Sequence, residues 1–333
     1  MQATWRLRNF MRPYLMWAIL APLLMVVEVA MDLLQPRLIQ IIVDQGVIPG
    51  NMRVVITTGI WMFVVAVIAL IGGYGCGIYA IRAGQAFGAD LRHALFAKVQ
   101  TLSFANLDKL ETGGLITRLT NDVTQVTEVV MMLMRIMVRA PLLMVGGLIM
   151  AIFTSLQLAW LFAILIPIVL LTLWLVVGKA YPLFSGVQRR LDTLNTVMQE
   201  NLAGVRVVKA FVRSPHESQR FGRANDDLMA QNIRAVRTVA VTMPIMLLTV
   251  NVGIVAALWF GGALVESGSM QVGQIIAFTN YLLQSLTSLM AVGMLVMRIS
   301  RAEASAVRIE EALHSEAAVQ NRPQLTADFT PQG

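Results

Sequence analysis

The sequence predicts an all-α membrane protein of six long helices, and three patterns predict it. Residues 54–81, 140–178, 238–265 and 267–297 carry no charged side chain. The basic residues gather on alternate connections between these stretches. Two of those connections are long, and both repeat apolar residues at helical spacing.

The spans follow in order. A bilayer core roughly 30 Å thick needs about 20 apolar residues of helix. The first span, about 14–41, is interrupted by Glu28, Asp32 and Arg37, and the second, about 54–81, is free of charge. The stretch 140–178 is 39 residues long, enough to cross twice, and Thr154-Ser155-Leu156-Gln157 is its only polar break. It therefore supplies most of spans three and four, about 129–153 and 158–178. Spans five and six fall at about 238–265 and 272–298. Composition agrees: 57% of residues are apolar and 14% charged, against roughly 45–50% and 25% in a soluble domain.

A net charge of +7 raises the prospect of a nucleic-acid partner, but its placement argues against one. Arg6, Arg8 and Arg12 precede the first span. Arg82, Arg92, Lys98, Lys109 and Arg118 lie between the second and third, and ten more basic residues occupy 179–237. The other three connections hold only Arg53. This positive-inside pattern puts both termini and both long connections in the cytoplasm. The first apolar run lacks a small-residue cleavage site, so no signal peptide is expected. Cys76 is the single cysteine, which leaves no disulfide framework. His93, His216 and His314 lack metal-ligand spacing, and no catalytic or metal-binding residue is expected.

Both cytoplasmic excursions read as a helix out, a short transverse element and a helix back. In the first, Phe87, Leu91, Leu95, Val99 and Leu102 set the period, residues 108–114 break it, and Leu115, Leu119, Val123 and Val126 resume it. In the second, Val187, Leu191, Leu194 and Met198 set the period and Ala203-Gly204 interrupts it. Ser214-Pro215 is then expected to end a short piece and Phe221 to begin another helix. About 18 residues of helix would reach roughly 27 Å beyond the membrane.

Four separated motifs resemble the transmembrane domain of type I ABC exporters. They are Ser103-Phe104 with Thr112-Gly-Gly-Leu-Ile-Thr-Arg-Leu-Thr-Asn-Asp-Val123, Glu200-Asn-Leu-Ala-Gly-Val-Arg-Val-Val-Lys-Ala-Phe211, Gly273-Gln-Ile-Ile-Ala-Phe278 with Tyr281, and Arg301-Ala-Glu-Ala-Ser-Ala-Val-Arg-Ile309. The resemblance covers about 1–313. Residues 22–36, with Ile42-Val43-Asp44, are similar to one half of heterodimeric bacterial multidrug exporters. It implies a transmembrane domain at 1–313 and a linker at 314–333 leading to a nucleotide-binding domain. It also implies a bacterial inner-membrane location and a second exporter half, a heterodimer more readily than a homodimer. No G-x-x-x-x-G-K-[ST] phosphate loop occurs in these 333 residues, so this chain as given is not expected to hydrolyse ATP. ATP and Mg are implied instead in a domain that continues the chain or is encoded separately.

What the resemblance implies about sites is weighed against plainer roles. Thr112, Gly113, Gly114, Leu115, Ile116, Thr117 and Arg118, and Leu202, Ala203, Gly204, Val205 and Arg206, would couple to nucleotide-binding domains; the plainer role is turning and packing. Glu28 and Asp32, one helical turn apart at membrane depth, would line a pathway for cationic substrates, or else pair with Arg37, Arg135 or Arg139. Asn251, Asn280, Gln284 and Ser288 would line the same pathway, or else hydrogen-bond between helices. The 21 methionines suit an adaptable cavity or an ordinary core.

The expected function is ATP-driven export of hydrophobic or cationic compounds by alternating access. A lipid or peptide exporter of the same fold is the rival within transport. The rival from another class is a proton-coupled secondary transporter using Glu28 and Asp32 as proton relays; such transporters usually show repeated halves, and no such repeat is visible. A membrane scaffold is the third class.

Overall fold

The computed structural model describes residues 6–103, 106 and 112–315, and within them all side chains except those of 112, 292–294 and 296–297. Every regular element among the described residues is helical. A 3-10 helix, Leu7–Tyr14, leads into α1, Leu15–Ile41, which runs on into a π-helical turn, Ile42–Val47. α2, Met52–Gln100, is one unbroken helix of 49 residues, about 73 Å long at 1.5 Å per residue. The second expected span and the outgoing arm of the first excursion are therefore a single rod. Asn51 caps it, its side chain accepting from the Val54 N–H at 3.4 Å.

α3, Thr112–Thr117, is followed by a π-helical segment, Arg118–Asp122, and by α4, Val123–Thr154. α5, Trp160–Ala203, stops where Ala203-Gly204 was expected to break the period, and α6, Val205–Ala210, follows. α7, Ser214–Ala240, leads into α8, Thr242–Glu266, and α9, Val272–His314, ends the described chain. The Ser214-Pro215 pair opens α7 rather than closing the preceding piece, so the helix starts before Phe221. Proline in a first turn gives up an N–H that has no partner there anyway. The break expected at 108–111 and the linker at 316–333 lie outside the described residues.

Five helical runs among the described residues are long and apolar enough to cross a membrane: Leu7–Val47, Met52–Gln100, Gly113–Thr154, Trp160–Ala203 and Ser214–Glu266. The sixth expected span falls on the first part of α9.

The chain divides into two compact units, residues 1–147 with 287–333, and residues 148–286. The first unit has two buried clusters. One gathers Ala21, Met25 and Val29 of α1, Cys76, Ala80 and Ala83 of α2, and Met134 and Leu143 of α4. A Cβ on Gly72 would lie 3.0 Å from the Leu24 carbonyl oxygen and 3.1 Å from the Glu28 nitrogen, so α1 and α2 meet backbone to backbone there. Gly84 and Gly88 likewise receive Met131 and Thr127 of α4. The other cluster joins Leu7, Phe87, Leu91, Leu95, Val123, Val126, Ala306, Ile309 and Ala312. Thus the apolar face of the first excursion closes on α9 and the 3-10 helix. In the second unit Phe162 and Phe278 meet edge to face at 5.7 Å, and Gly253 and Gly261 admit Leu165 and Ile275.

Candidate functional site

At membrane depth in the first unit, Glu28 and Asp32 lie on one face of α1 and share one guanidinium from α4. Arg139 donates through Nη1 to Glu28 Oε1 and through Nη2 to Asp32 Oδ2, the latter at 3.0 Å. A planar fork with two donors suits two carboxylates. Glycine at position 73 makes room, since a Cβ there would lie 2.7 Å from Glu28 Oε2. Arg37 donates instead to Gln40 Oε1 at 2.6 Å. Two carboxylates thus share one guanidinium, and the Asp32 side chain is the more open carboxylate, 30% exposed against 12% for Glu28.

The polar residues expected along the fifth and sixth spans divide between the units. Asn251, Asn280 and Gln284 belong to the second and Ser288 to the first. Asn251 donates to the Leu247 carbonyl at 2.9 Å and Asn280 to the Ile276 carbonyl at 2.8 Å. Both amides thus bond back onto their own helix, one turn earlier. Gln284 is half-buried and Ser288 buried.

The expected coupling residues of the first excursion occupy α3 and the start of the π segment. Leu115 is buried, Ile116 and Thr117 are exposed, and a Cβ on Gly113 or Gly114 would meet nothing within 4 Å. Among the described residues only Gly50 and Gly268 are glycines with positive φ, so Gly113 and Gly114 do not reverse the chain. They leave bare helical backbone facing outward. Arg118 is drawn inward, its Nη2 pairing with Glu311 Oε2 of α9 at 2.9 Å.

Four residues on, Asp122 is 2% exposed and accepts from Ser305 Oγ and Arg308 Nε of α9, both at 2.9 Å. Burial alone would push its carboxyl up. The hydrogen bonds from Arg308 and Ser305, with the charges of Arg308 and Arg118, outweigh that and hold it below the usual carboxylate range. The same bond raises the Arg308 guanidinium. Removing one partner of a buried pair costs about 3–5 kcal/mol, less here because Arg308 is 46% exposed and partly screened.

The tip of the second excursion is open. Leu202, Val207, Phe211 and Val212 are exposed, Phe211 at 74% and Val212 at 80%. Val212 has a φ of 53°, strained for a β-branched residue. Beside them α5, α6 and the start of α7 enclose a cleft of about 360 Å³ lined by Val197, Met198, Leu202, Val205, Val208 and Phe221. Lys209 lies on its rim, and Arg206 and Arg213 are exposed nearby. Ala203 is exposed and Gly204 half-buried at the corner between α5 and α6. Arg220 pairs with Glu200 and holds α7 to α5 below the tip.

Sequence reasoning passed over Ser305, Arg308 and Glu311 as partners of the first excursion. A polar stretch at three-residue spacing on α9 was visible, but its partners stand more than 180 residues away in the chain. Phe211 and Val212 were also passed over, because an apolar pair at a helix end carries no spacing signal. Among the described residues no group of three or more His, Cys, Asp or Glu could hold a metal ion.

With this geometry established, the comparisons with known proteins agree on a family. The family described as the ABC transporter transmembrane region matches residues 18–289. An uncharacterized ABC transporter ATP-binding protein of Bacillus subtilis, YfiB, is 39% identical over 92% of this chain and 54% of its own length. An uncharacterized ABC transporter ATP-binding protein of Mycobacterium tuberculosis is 36% identical over 97% of this chain and 56% of its own. The ATP-dependent lipid A-core flippase of Syntrophus aciditrophicus is 30% identical over 60% of this chain and 33% of its own. The chain spans about half the length of the first two of these relatives.

Proposed function

Because this chain belongs to the ABC transporter transmembrane family and is a multi-pass membrane protein, we propose that it forms one half of an exporter's translocation pathway. ATP-binding domains would drive it by docking on its cytoplasmic excursions. The observation that carries this reading is the open tip of the second excursion. Large apolar side chains exposed together at a polar boundary mark an interaction surface. Leu202, Ala203, Gly204, Val205 and Arg206 lie within it, and Phe211 and Val212 extend it. Its basic rim of Arg206, Lys209 and Arg213 favours a partner with an acidic border. In the first excursion Gly113 and Gly114 would present bare backbone to the same partner, with Thr112, Leu115, Ile116 and Thr117 completing the coupling element. ATP and Mg would belong to those domains and not to this chain.

The Glu28–Arg139–Asp32 cluster supports a pathway for cationic, amphipathic substrates. Carboxylates are costly at membrane depth and usually face a cavity or a partner; a cationic substrate would meet Asp32, with Glu28 held back by Arg139. Asn251, Asn280, Gln284 and Ser288 would add polar points to a translocation pathway. The likeness to a protein named as a lipid A-core flippase favours a lipid substrate as the second reading. The 22–36 stretch supports a non-identical second half, and the basic connections support cytoplasmic termini in a bacterial inner membrane.

The test is reconstitution of the full exporter with its ATP-binding domains and second half in proteoliposomes. Cationic amphiphiles are expected to stimulate ATP hydrolysis in wild type, and Asp32→Asn is expected to lose that stimulation while keeping the response to neutral compounds. Stimulation by lipid alone would establish the second reading. Hydrolysis indifferent to every compound in a correctly assembled complex would sink both.

A further inference from the structure

The motif residues Arg118 and Asp122 stand at the two ends of a π-helical segment, and both are held by α9. Arg118 pairs with Glu311; Asp122 accepts from Ser305 and Arg308. The end of α9 is tied twice more, by Arg6 to Glu310 at 2.8 Å and by Asn106 to Ser315 at 3.4 Å. The N-terminal segment and the first excursion, far apart in sequence, thus converge on one helix end.

Stability alone is a weak reason for this arrangement. Phe87, Leu91, Leu95, Val123, Val126, Ala306 and Ile309 already bury the faces of these elements against one another. A buried ion pair adds little beyond apolar residues of the same volume, whereas it does fix orientation and register. The π segment makes register matter. It holds one more residue per turn than an α-helix, so its collapse would rotate α3 by roughly 100° relative to α4. Asp122 sits at the end of that extra turn, where its carboxylate meets Ser305 and Arg308.

We infer that Asp122 and Arg308 are positioning residues for coupling: they lock the π segment of the first excursion to α9, so that the two move as one body. This rests on the reading that α9 leads toward an ATP-binding domain. Displacement of α9 then carries Gly113 to Ile116 with it, and α3 keeps one orientation toward whatever docks there. Ser305 aligns the Asp122 carboxylate, and Arg118 with Glu311 fixes the other end of the segment.

The test uses the full exporter in proteoliposomes, with spin labels at Ile116 on α3 and Val307 on α9, both exposed. Wild type should give a narrow distance distribution between the labels. Arg308→Gln, at a half-exposed position that tolerates the change, and the isosteric Asp122→Asn should each broaden it. The same variants should lower transport per ATP hydrolysed by about fivefold or more. Arg308→Lys, which keeps the charge without the fork, should fall between. Deleting Thr120, which removes the extra residue, should move the distance to a new narrow value. Variants that melt like wild type and leave both distance and transport per ATP unchanged would overturn the lock. If wild type assembles but hydrolyses no ATP, the reading of function falls on that result alone, and the label distances still decide whether α3 and α9 are locked.

Discussion

The two long excursions start from the same sequence pattern and end in opposite packing. In the first, Phe87, Leu91 and Leu95 are 2%, 0% and 1% exposed, closed over by α4, α9 and the 3-10 helix, with Asp122, Ser305 and Arg308 fastened beside them. In the second the buried apolar residues are Leu194 and Val197 with the small side chains of Ala180 and Ala235, while Leu202, Val207, Phe211 and Val212 stand exposed around an apolar cleft. Helical periodicity states that a helix has an apolar face and is silent on what covers it. The chain covers the first face itself. The second face stands open, as the proposed docking of a partner requires, and the strained Val212 backbone fits a surface shaped for contact rather than for the stability of the free chain.

Substitutions in the two excursions should therefore fail in different ways. Leu91→Ala empties a fully buried site and should destabilise the folded chain by about 2–5 kcal/mol, read as a lower midpoint in a thermal melt. Phe211→Ala should leave the melt within about 0.5 kcal/mol. It should nonetheless weaken docking of the ATP-binding domain by ~2 kcal/mol, about thirtyfold, read as loss of substrate-stimulated hydrolysis. A large melt shift at Phe211 would break the contrast.

The ionic fastening of the first excursion sharpens it further. Asp122 has its carboxyl lowered on folding. Below the ordinary aspartate range of about 4, the unfolded chain binds more protons than the folded one, so stability rises with pH there. The fastening is thus fully present at neutral pH and is lost as pH falls through the folded value. Asp122→Asn should cost ~2 kcal/mol at pH 7, and its difference from wild type should shrink in melts below about pH 4. The smallest effect is expected at Gly113, where a Cβ meets open space within the chain. Gly113→Ala should stabilise α3 by up to ~1 kcal/mol, so a fall in coupling without a fall in stability would mark that bare backbone as docking surface.

Much of the fold was legible. The uncharged runs lie in long helices, and the polar break at 154–157 and the Ala203-Gly204 corner coincide with connections between helices, because backbone satisfaction in lipid forces long helices and few breaks. The helix start at Ser214 was misjudged because proline ends one helix and begins another with equal ease. At the candidate site the carboxylates Glu28 and Asp32 were legible from their depth, and Arg139 stood as one of three possible partners. The choice of Arg139 depends on how α1 crosses α4, which one helix's period does not encode. The ties from Asp122 and Arg118 to α9 were hidden for the same reason. The amides of Asn251 and Asn280 turned back to their own helices, a choice that helix geometry always offers and sequence does not reveal.

The most direct test of the contrast is the labelling rate of Phe211→Cys by a water-soluble maleimide, in a background where Cys76, the one cysteine of these 333 residues and a buried one, and any cysteine of the partner domains are replaced by alanine. Measured in membranes, the rate in the assembled exporter should be at least about tenfold below that of the 333-residue chain expressed alone. Equal rates in the two would show that nothing covers the second excursion and would contradict the account.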